Sequence, residues 1–258
     1  MTVRCEKRGA VAWVTFDRPE ARNALTHEMY TQLAAVCADL DADAAVRVAV
    51  FQGKGDDAFV SGSDIRGVGE IRGTADALAY EKHIEPAIGG VERLAKPTIA
   101  LIRGVAAGGG AAIALACDIR IAAENARFGV PIARTVGNTL SLRNVARMMQ
   151  AIGPTMTKEL LFTGRLATAI EGQAMGAFND VVPLARVEAH VTALAERLSQ
   201  NAPLTIRATK RAVLRVLEAE RERLGPGEDI LELAYGSEDF REGVTAFIEK
   251  RPPVWKGR

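Results

Sequence analysis

The sequence predicts an α/β fold, with βα units on a mixed sheet followed by a helical C-terminal region. Three observations predict it. Runs rich in β-branched residues at 46–51, 98–103 and 119–122 alternate with stretches of helical apolar spacing. A three-glycine run, Gly108, Gly109 and Gly110, follows the second of those strands and opens into an apolar helix. Beyond Gly153 most segments carry apolar residues three and four apart.

Taken in order, residues 2–7 and 11–16 are short strands separated by Arg8 and Gly9, a hairpin signal. Thr26 caps a helix over 27–40, with Glu28 in its first turn and Met29, Leu33, Val36 and Leu40 on one face. Residues 46–51 read as a buried strand, and Ser61, Gly62 and Ser63 as a turn. Residues 74–94 are helical, with Pro86 and the Gly89–Gly90 pair expected to interrupt the pattern. Pro97 leads into the strand at 98–103, and 119–122 is another. Helices are expected at 154–162, 168–175, 186–199, 204–217 and 238–249, with one short strand at 178–182. These late helices pack either on their own core or on another subunit.

Composition excludes several classes. The 258 residues carry a net charge of +1, which argues against a nucleic-acid or basic membrane-surface protein. The three cysteines, Cys5, Cys37 and Cys117, are widely spaced and form no metal pattern, so a reducing compartment and free thiols are expected. There is no apolar segment of membrane-spanning length and no ordinary signal peptide, so the expected location is the cytoplasm.

The chemistry concentrates in the two glycine turns. Adjacent glycines let a backbone approach a ligand, and the first N–H groups of a helix have no intrahelical acceptor. Two converging N–H donors, one from each glycine turn, suit an oxygen on which negative charge develops.

The chain resembles the crotonase, or enoyl-CoA hydratase/isomerase, superfamily over nearly its whole length. The resemblance rests on Asp17-Arg-Pro-Glu-Ala-Arg-Asn-Ala-Leu25, Ala58-Phe-Val-Ser-Gly-Ser-Asp-Ile65 and Lys96-Pro-Thr-Ile-Ala-Leu-Ile-Arg-Gly104. It continues through the triplet to Cys117 and Asp118, then Ala126-Arg-Phe-Gly-Val-Pro131, Phe162-Thr-Gly-Arg165 and Ser237-Glu-Asp-Phe-Arg-Glu-Gly243. It implies an α/β spiral of ββα units over residues 1–195 and a C-terminal helical trimerisation region over 196–258. It implies an acyl-CoA thioester as substrate, no further cofactor, and a homotrimer or hexamer in fatty acid metabolism. The oxyanion donors carry over to the N–H groups of Ser63 and Gly109. The coenzyme A contacts carry over to Arg22, Asp64, Ile65, Arg66, Phe247 and Lys250, the last two reaching a neighbouring subunit. Glu20 stands where relatives often carry a lysine, and Arg22 is its expected replacement. Asp64 also reads as a turn residue bonding backbone N–H groups.

The pattern breaks at the acid–base pair. The two glutamates of the family's hydratases fall at Ala112 and Ile132, and neither side chain transfers a proton. Two other sources of a catalytic group are Glu85, with His83 on the same helix, and Asn138 in the polar loop after Ile132. Asparagine orients water or donates to an oxyanion but is no base. Glu81, Lys82, His83 and Glu85 together also read as a solvated helix face.

Two functions follow. One is an enzyme of the hydratase/isomerase kind, a lyase or an isomerase, that stabilises a thioester enolate. The other is a catalytically silent acyl-CoA-binding homologue. A dinucleotide-binding dehydrogenase fits poorly, because Gly104 and the triplet do not give the G-x-G-x-x-G spacing.

Overall fold

The computed structural model describes residues 2–225 and 227–258. The chain begins with an antiparallel hairpin, β1 (Thr2–Arg8) and β2 (Val11–Asp17), which turns at Gly9 with φ +61°. Helix α1 (His27–Ala42) follows, and the Thr26 hydroxyl accepts from Met29 N–H as its cap. From here one pattern repeats three times. A long strand is followed by a three-residue strand and then by helix. β3 (Val48–Gly53) leads to β4 (Ala58–Val60), α2 (Ile65–Val68) and α3 (Thr74–Arg93). β5 (Thr98–Ile102) leads to β6 (Val105–Ala107) and α4 (Gly109–Ala116). β7 (Ile119–Ala123) leads to β8 (Arg127–Gly129), α5 (Ile132–Thr135) and α6 (Leu142–Thr163).

The long strands build one sheet and the short strands another, so each repeat advances both by one strand. The first sheet has the order β1-β2-β3-β5-β7-β10, where β10 is Asp180–Val182, and is parallel from β2 onward. The second has the order β4-β6-β8-β9, where β9 is Ala167–Thr168. This is the α/β spiral of ββα units that the resemblance implies. The short strands escape sequence analysis because three residues are too few to show a period.

The large sheet is apolar on both faces, as a parallel sheet covered on both sides must be. Val14, Phe16, Phe51, Ala100 and Ile102 face α1, α3 and α4, whereas Trp13, Val48, Val50, Ile99 and Leu101 face α8 (Val187–Gln200). Adjacent residues of one strand thus serve opposite cores.

Several helices depart from the expectation. α3 runs unbroken through Pro86, which is exposed, and the backbone at Gly90 lies against α1, where an added Cβ would sit 3.3 Å from Cys37 Cβ. The helix expected at 154–162 is present as the second half of α6, and a first half from Leu142, which was not expected, precedes it. Gly153, at φ 74°, breaks α6 in the middle, and Pro154 starts its second half. The first half was hidden because Asn144 and Arg147 are among its buried residues. Helix α7 (Ala169–Ala174) follows Thr168, which closes a capping box with Glu171. The chain ends with α9 (Pro203–Glu222), longer than its periodic stretch, then α10 (Glu228–Tyr235), which sequence analysis did not anticipate, and α11 (Glu238–Glu249). α10 and α11 close a third apolar cluster with α2 and α3, built on Val68, Ala77, Val136, Leu231, Tyr235 and Phe240. Among the described residues no helix is long and apolar enough to cross a membrane.

Candidate active site

β4 and β6 are parallel neighbours, so the loops leaving their C-terminal ends emerge side by side. These are the two glycine turns. Gly62 (φ 124°) and Gly108 (φ 52°) both hold conformations that side chains disfavour, and a Cβ on Gly108 would lie 3.6 Å from Gly62 Cα. A Cβ on Gly109 would lie 3.4 Å from Ser63 Oγ. The structure therefore brings Ser63 and Gly109 together.

The backbone at Ser63 is held by a parallel bridge to Leu25. Leu25 N–H donates to Gly62 O at 2.8 Å, and Asp64 N–H donates to Leu25 O at 2.7 Å. That pairing uses the groups flanking Ser63 and turns its own N–H away. Gly109 is the first residue of α4, so its N–H precedes the helical ladder. Among the described residues neither N–H has a backbone acceptor.

Two tyrosines meet at this point, and a third, Tyr235, pairs with Asn138. Tyr80 O–H donates to Ser63 Oγ at 2.5 Å, and the Tyr30 hydroxyl is 2.8 Å from the same oxygen. Burial pushes the Tyr80 phenol up to about 12, relieved by Ser63 and reinforced by the charge of Glu81. Burial likewise raises Tyr30 and Tyr235. All three stay protonated at neutral pH and keep an O–H that can donate. Asn138 Nδ2 donates to the Tyr235 hydroxyl at 3.0 Å, while Asn138 Oδ1 is buried without a hydrogen-bond partner among the described residues.

Glu81 belongs to this polar seam. It lies four residues after Ala77 and three before Ile84, on the stripe that α3 turns inward. Burial raises its pKa to about 7, opposed by the Ser141 hydroxyl beside it and by Arg147, and assisted by Glu85. Glu85 faces a different neighbour. Its carboxylate receives two hydrogen bonds from Arg147, at 3.0 and 3.2 Å, and lies 3.9 Å from both Arg93 and Arg143. His83 stacks on His27 at 3.2 Å between ring centroids, with Nε2 3.0 Å from His27 O, away from the seam.

The remaining sequence-derived positions divide into two groups. Asp64 caps α2, accepting from Arg66 N–H at 3.0 Å and pairing with Arg18 at 2.7 Å. Burial works to raise its pKa, and those two donors outweigh it, so the carboxyl stays ionised below its ordinary range. Ile65 and Arg66 open that helix. Arg22 is exposed, and its carbonyl accepts from Ser61 N–H at 3.1 Å, which ties it to the Ser63 turn. Phe247 (50% exposed) and Lys250 stand at the far end of α11. Ala112 is buried in α4, and Ile132 begins α5. Sequence analysis missed Tyr30, Tyr80, Glu81, Ser141 and Tyr235. For Glu81 a signal existed, since the carboxylate interrupts the run of Ala77, Ile84 and Ile88 at helical spacing.

Fold and site together define a spiral α/β protein in which two backbone N–H groups without backbone acceptors among the described residues meet at adjoining strand ends. Residues 6–258 match the family described as enoyl-CoA hydratase/isomerase, and the chain belongs to that family. It is 33% identical to the short-chain-enoyl-CoA hydratase of Clostridium acetobutylicum, covering 95% of this chain and 94% of that one. It is 34% identical to the (E)-benzylidenesuccinyl-CoA hydratase of Thauera aromatica over the full length of both. Among solved structures, methylmalonyl-CoA decarboxylase in complex with 2-nitronate-propionyl-CoA superposes with a TM-score of 0.90 at 27% identity, covering 99% of this chain and 98% of that one.

Proposed function

We propose that this protein binds an acyl-CoA thioester, holds the thioester carbonyl oxygen between the N–H groups of Ser63 and Gly109, and moves a proton at the adjacent carbon. The observation that carries this is the meeting of two backbone donors, both without a backbone acceptor among the described residues, beside a set of protonated tyrosines. Proton loss beside a thioester leaves an enolate whose charge sits on that oxygen. A fixed donor there is worth about 3 kcal/mol of transition-state stabilisation. The relatives named above each act on, or hold, a CoA thioester.

Isomerisation of a double bond is favoured over hydration. Hydration needs a held water and a delivered proton, which Ala112 and Ile132 do not supply. Isomerisation needs one group that takes a proton and returns it. Arg22, Asp64, Ile65, Arg66, Phe247 and Lys250 remain the candidate coenzyme A contacts. The exposed Phe247 fits a role across a subunit boundary.

The trimer or hexamer finds support in α9. That helix exposes Leu204, Val213 and Val216, and a cavity of about 550 Å³ opens beneath it between Leu115, Ala151, Leu198 and Leu214. Light scattering on the purified chain tests it, and a monomer at micromolar concentration would overturn it.

The function itself is tested by incubating the protein in D2O with CoA thioesters spanning short, long, aromatic and dicarboxylic acyl groups, saturated and unsaturated. Deuterium entering beside the thioester supports proton transfer. Net addition of D2O shows hydration instead. Saturable binding with no mass change across the panel overturns both and leaves a silent binder.

A further inference from the structure

We infer that Glu81 is the proton-transferring group of this site, a catalytic residue on α3 that occupies neither of the two glutamate positions of the family's hydratases. The inference rests on the enolate function proposed above and names the base that function lacks.

The geometry comes first. α3 presents Ala77, Ile84, Ile88 and Val91 to the interior, and Glu81 takes the place in that stripe where another apolar residue would pack. The carboxylate lies in the seam between two apolar clusters, the one built on α1, α3 and α4 and the one closed by α10 and α11; Tyr80 and Ile132 touch both. On one side of it are Tyr80 and Tyr30, with Ser63 between their hydroxyls. On the other are Ser141, Tyr235 and Asn138. Tyr80, whose hydroxyl holds Ser63 Oγ, immediately precedes Glu81 on α3, and the charge of Glu81 reaches both Tyr80 and Tyr30.

Among the described residues no cation forms an ion pair with Glu81. Arg147, the cation whose charge reaches it, is hydrogen-bonded to Glu85, Glu92 and Asn144. The groups facing Glu81 are Tyr80 and Glu85 on its own helix, Tyr30 on α1, Arg147 on α6 and Tyr235 on α10. The three phenols are held protonated, and Glu85 is committed to Arg147. Burial leaves Glu81 changing protonation near neutrality, which suits a group that both takes and gives a proton. Asn138, which holds Tyr235 through Nδ2, has its Oδ1 buried without a hydrogen-bond partner among the described residues.

For a β,γ-unsaturated thioester, a Glu81 carboxylate oxygen takes the proton from the carbon beside the carbonyl. The C–H electron pair moves toward the carbonyl, whose oxygen becomes the dienolate anion held by Ser63 and Gly109 N–H. Glu81 then delivers a proton to the γ-carbon, a deuteron in D2O once its carboxyl has exchanged with solvent, and the double bond shifts into conjugation. No water, metal or redox partner is consumed.

The test compares wild type, Glu81→Gln and Glu81→Asp with 3-butenoyl-CoA and its longer-chain and aryl homologues in D2O, between pH 5 and 9. Binding of the saturated thioesters is measured alongside by calorimetry. The expected result is wild-type exchange that rises with pH around 7. Glu81→Gln loses at least about 100-fold in rate with thioester affinity within threefold, and Glu81→Asp restores part of the rate. Glu81→Gln exchange within threefold of wild type would overturn the assignment while leaving the enolate function standing. If wild type exchanges no thioester, the enolate function falls and Glu81 falls with it. A Glu81→Gln variant that loses exchange and thioester binding together would show a structural role, and that too overturns the assignment.

Discussion

The hydroxyl of Tyr30 occupies the space into which a side chain on Gly109 would project. The first residue of α4 is therefore glycine because a phenol from α1 closes over it. That phenol is itself fixed on Ser63 Oγ at 2.8 Å. One contact thus sets the spacing between the two donors of the candidate oxyanion site.

Gly109→Ala is expected to push the Tyr30 ring aside and spread the two N–H groups. Deuterium exchange should fall by about 10²- to 10³-fold, as when one oxyanion donor is lost. Folding should survive, because the obstructing atom is the tip of a side chain. Gly110→Ala is different. Its Cβ would meet the carbonyl and side chain of Val60, a buried strand residue. That variant should lose at least about 2 kcal/mol of stability by overpacking, or fail to accumulate. Equal denaturation midpoints for the two would contradict this division.

Ser63→Ala separates the side chain from the backbone. The N–H donor remains, so exchange should fall by less than about tenfold. The hydroxyls of Tyr30 and Tyr80 lose their shared partner, and stability should drop by about 1–3 kcal/mol. Urea unfolding and exchange rates on the same preparation check both parts. A loss of exchange as large as that of Gly109→Ala would make the hydroxyl, not the N–H, the acting group.

Much of this was legible in the sequence, and the illegible parts share a cause. The long strands, α1 and the glycine turns announce themselves through local chemistry, such as β-branching, a capping threonine and the absence of side chains at 108–110. The first half of α6 did not, because Arg147 and Asn144 point inward on a helix whose partners lie on α3. Glu81 read as part of a solvated face for the same reason. Whether a carboxylate on a helix faces water depends on what covers it, and here the covers are α10 and the loop at Ser141, far along the chain. Asn138 was legible as a polar loop residue but not as the partner of Tyr235, since α10 itself left too short a trace.

Glu92 binds three helices together. It pairs with Arg147 of α6 at 2.8 Å and with Arg221 of α9 at 2.9 Å, and all three side chains are nearly sealed from solvent. Burial alone would raise the Glu92 pKa, and the two guanidiniums hold it below the ordinary range. Replacing Glu92 with Gln leaves two buried cations facing a neutral amide. The expected cost is about 3–5 kcal/mol, seen as a lower denaturant midpoint. A double variant, Glu92→Leu with Arg221→Met, should recover part of that loss, because the apolar pair removes one buried cation along with its counter-charge. A change below about 1 kcal/mol in Glu92→Gln would mean that water reaches the cluster.

The buried carboxyl of Glu81 should also appear in the pH dependence of folding. Its pKa is raised from 4.5 in the unfolded chain to about 7 in the folded one. Below pH 4.5 both states hold the proton, so the group's contribution is fully present. Between 4.5 and 7 the unfolded chain ionises while the folded protein keeps its proton, and the folded state binds more protons. Stability therefore declines as pH rises through that window and levels off above it. The decline attributable to Glu81 is as much as about 3 kcal/mol. Glu81→Gln cannot ionise and should show a flatter profile, gaining on wild type from pH 5 to pH 8. Parallel unfolding free energies for the two proteins across that range would mean that Glu81 is ionised and solvated throughout, and would remove the physical basis for its acting as an acid and base near neutral pH.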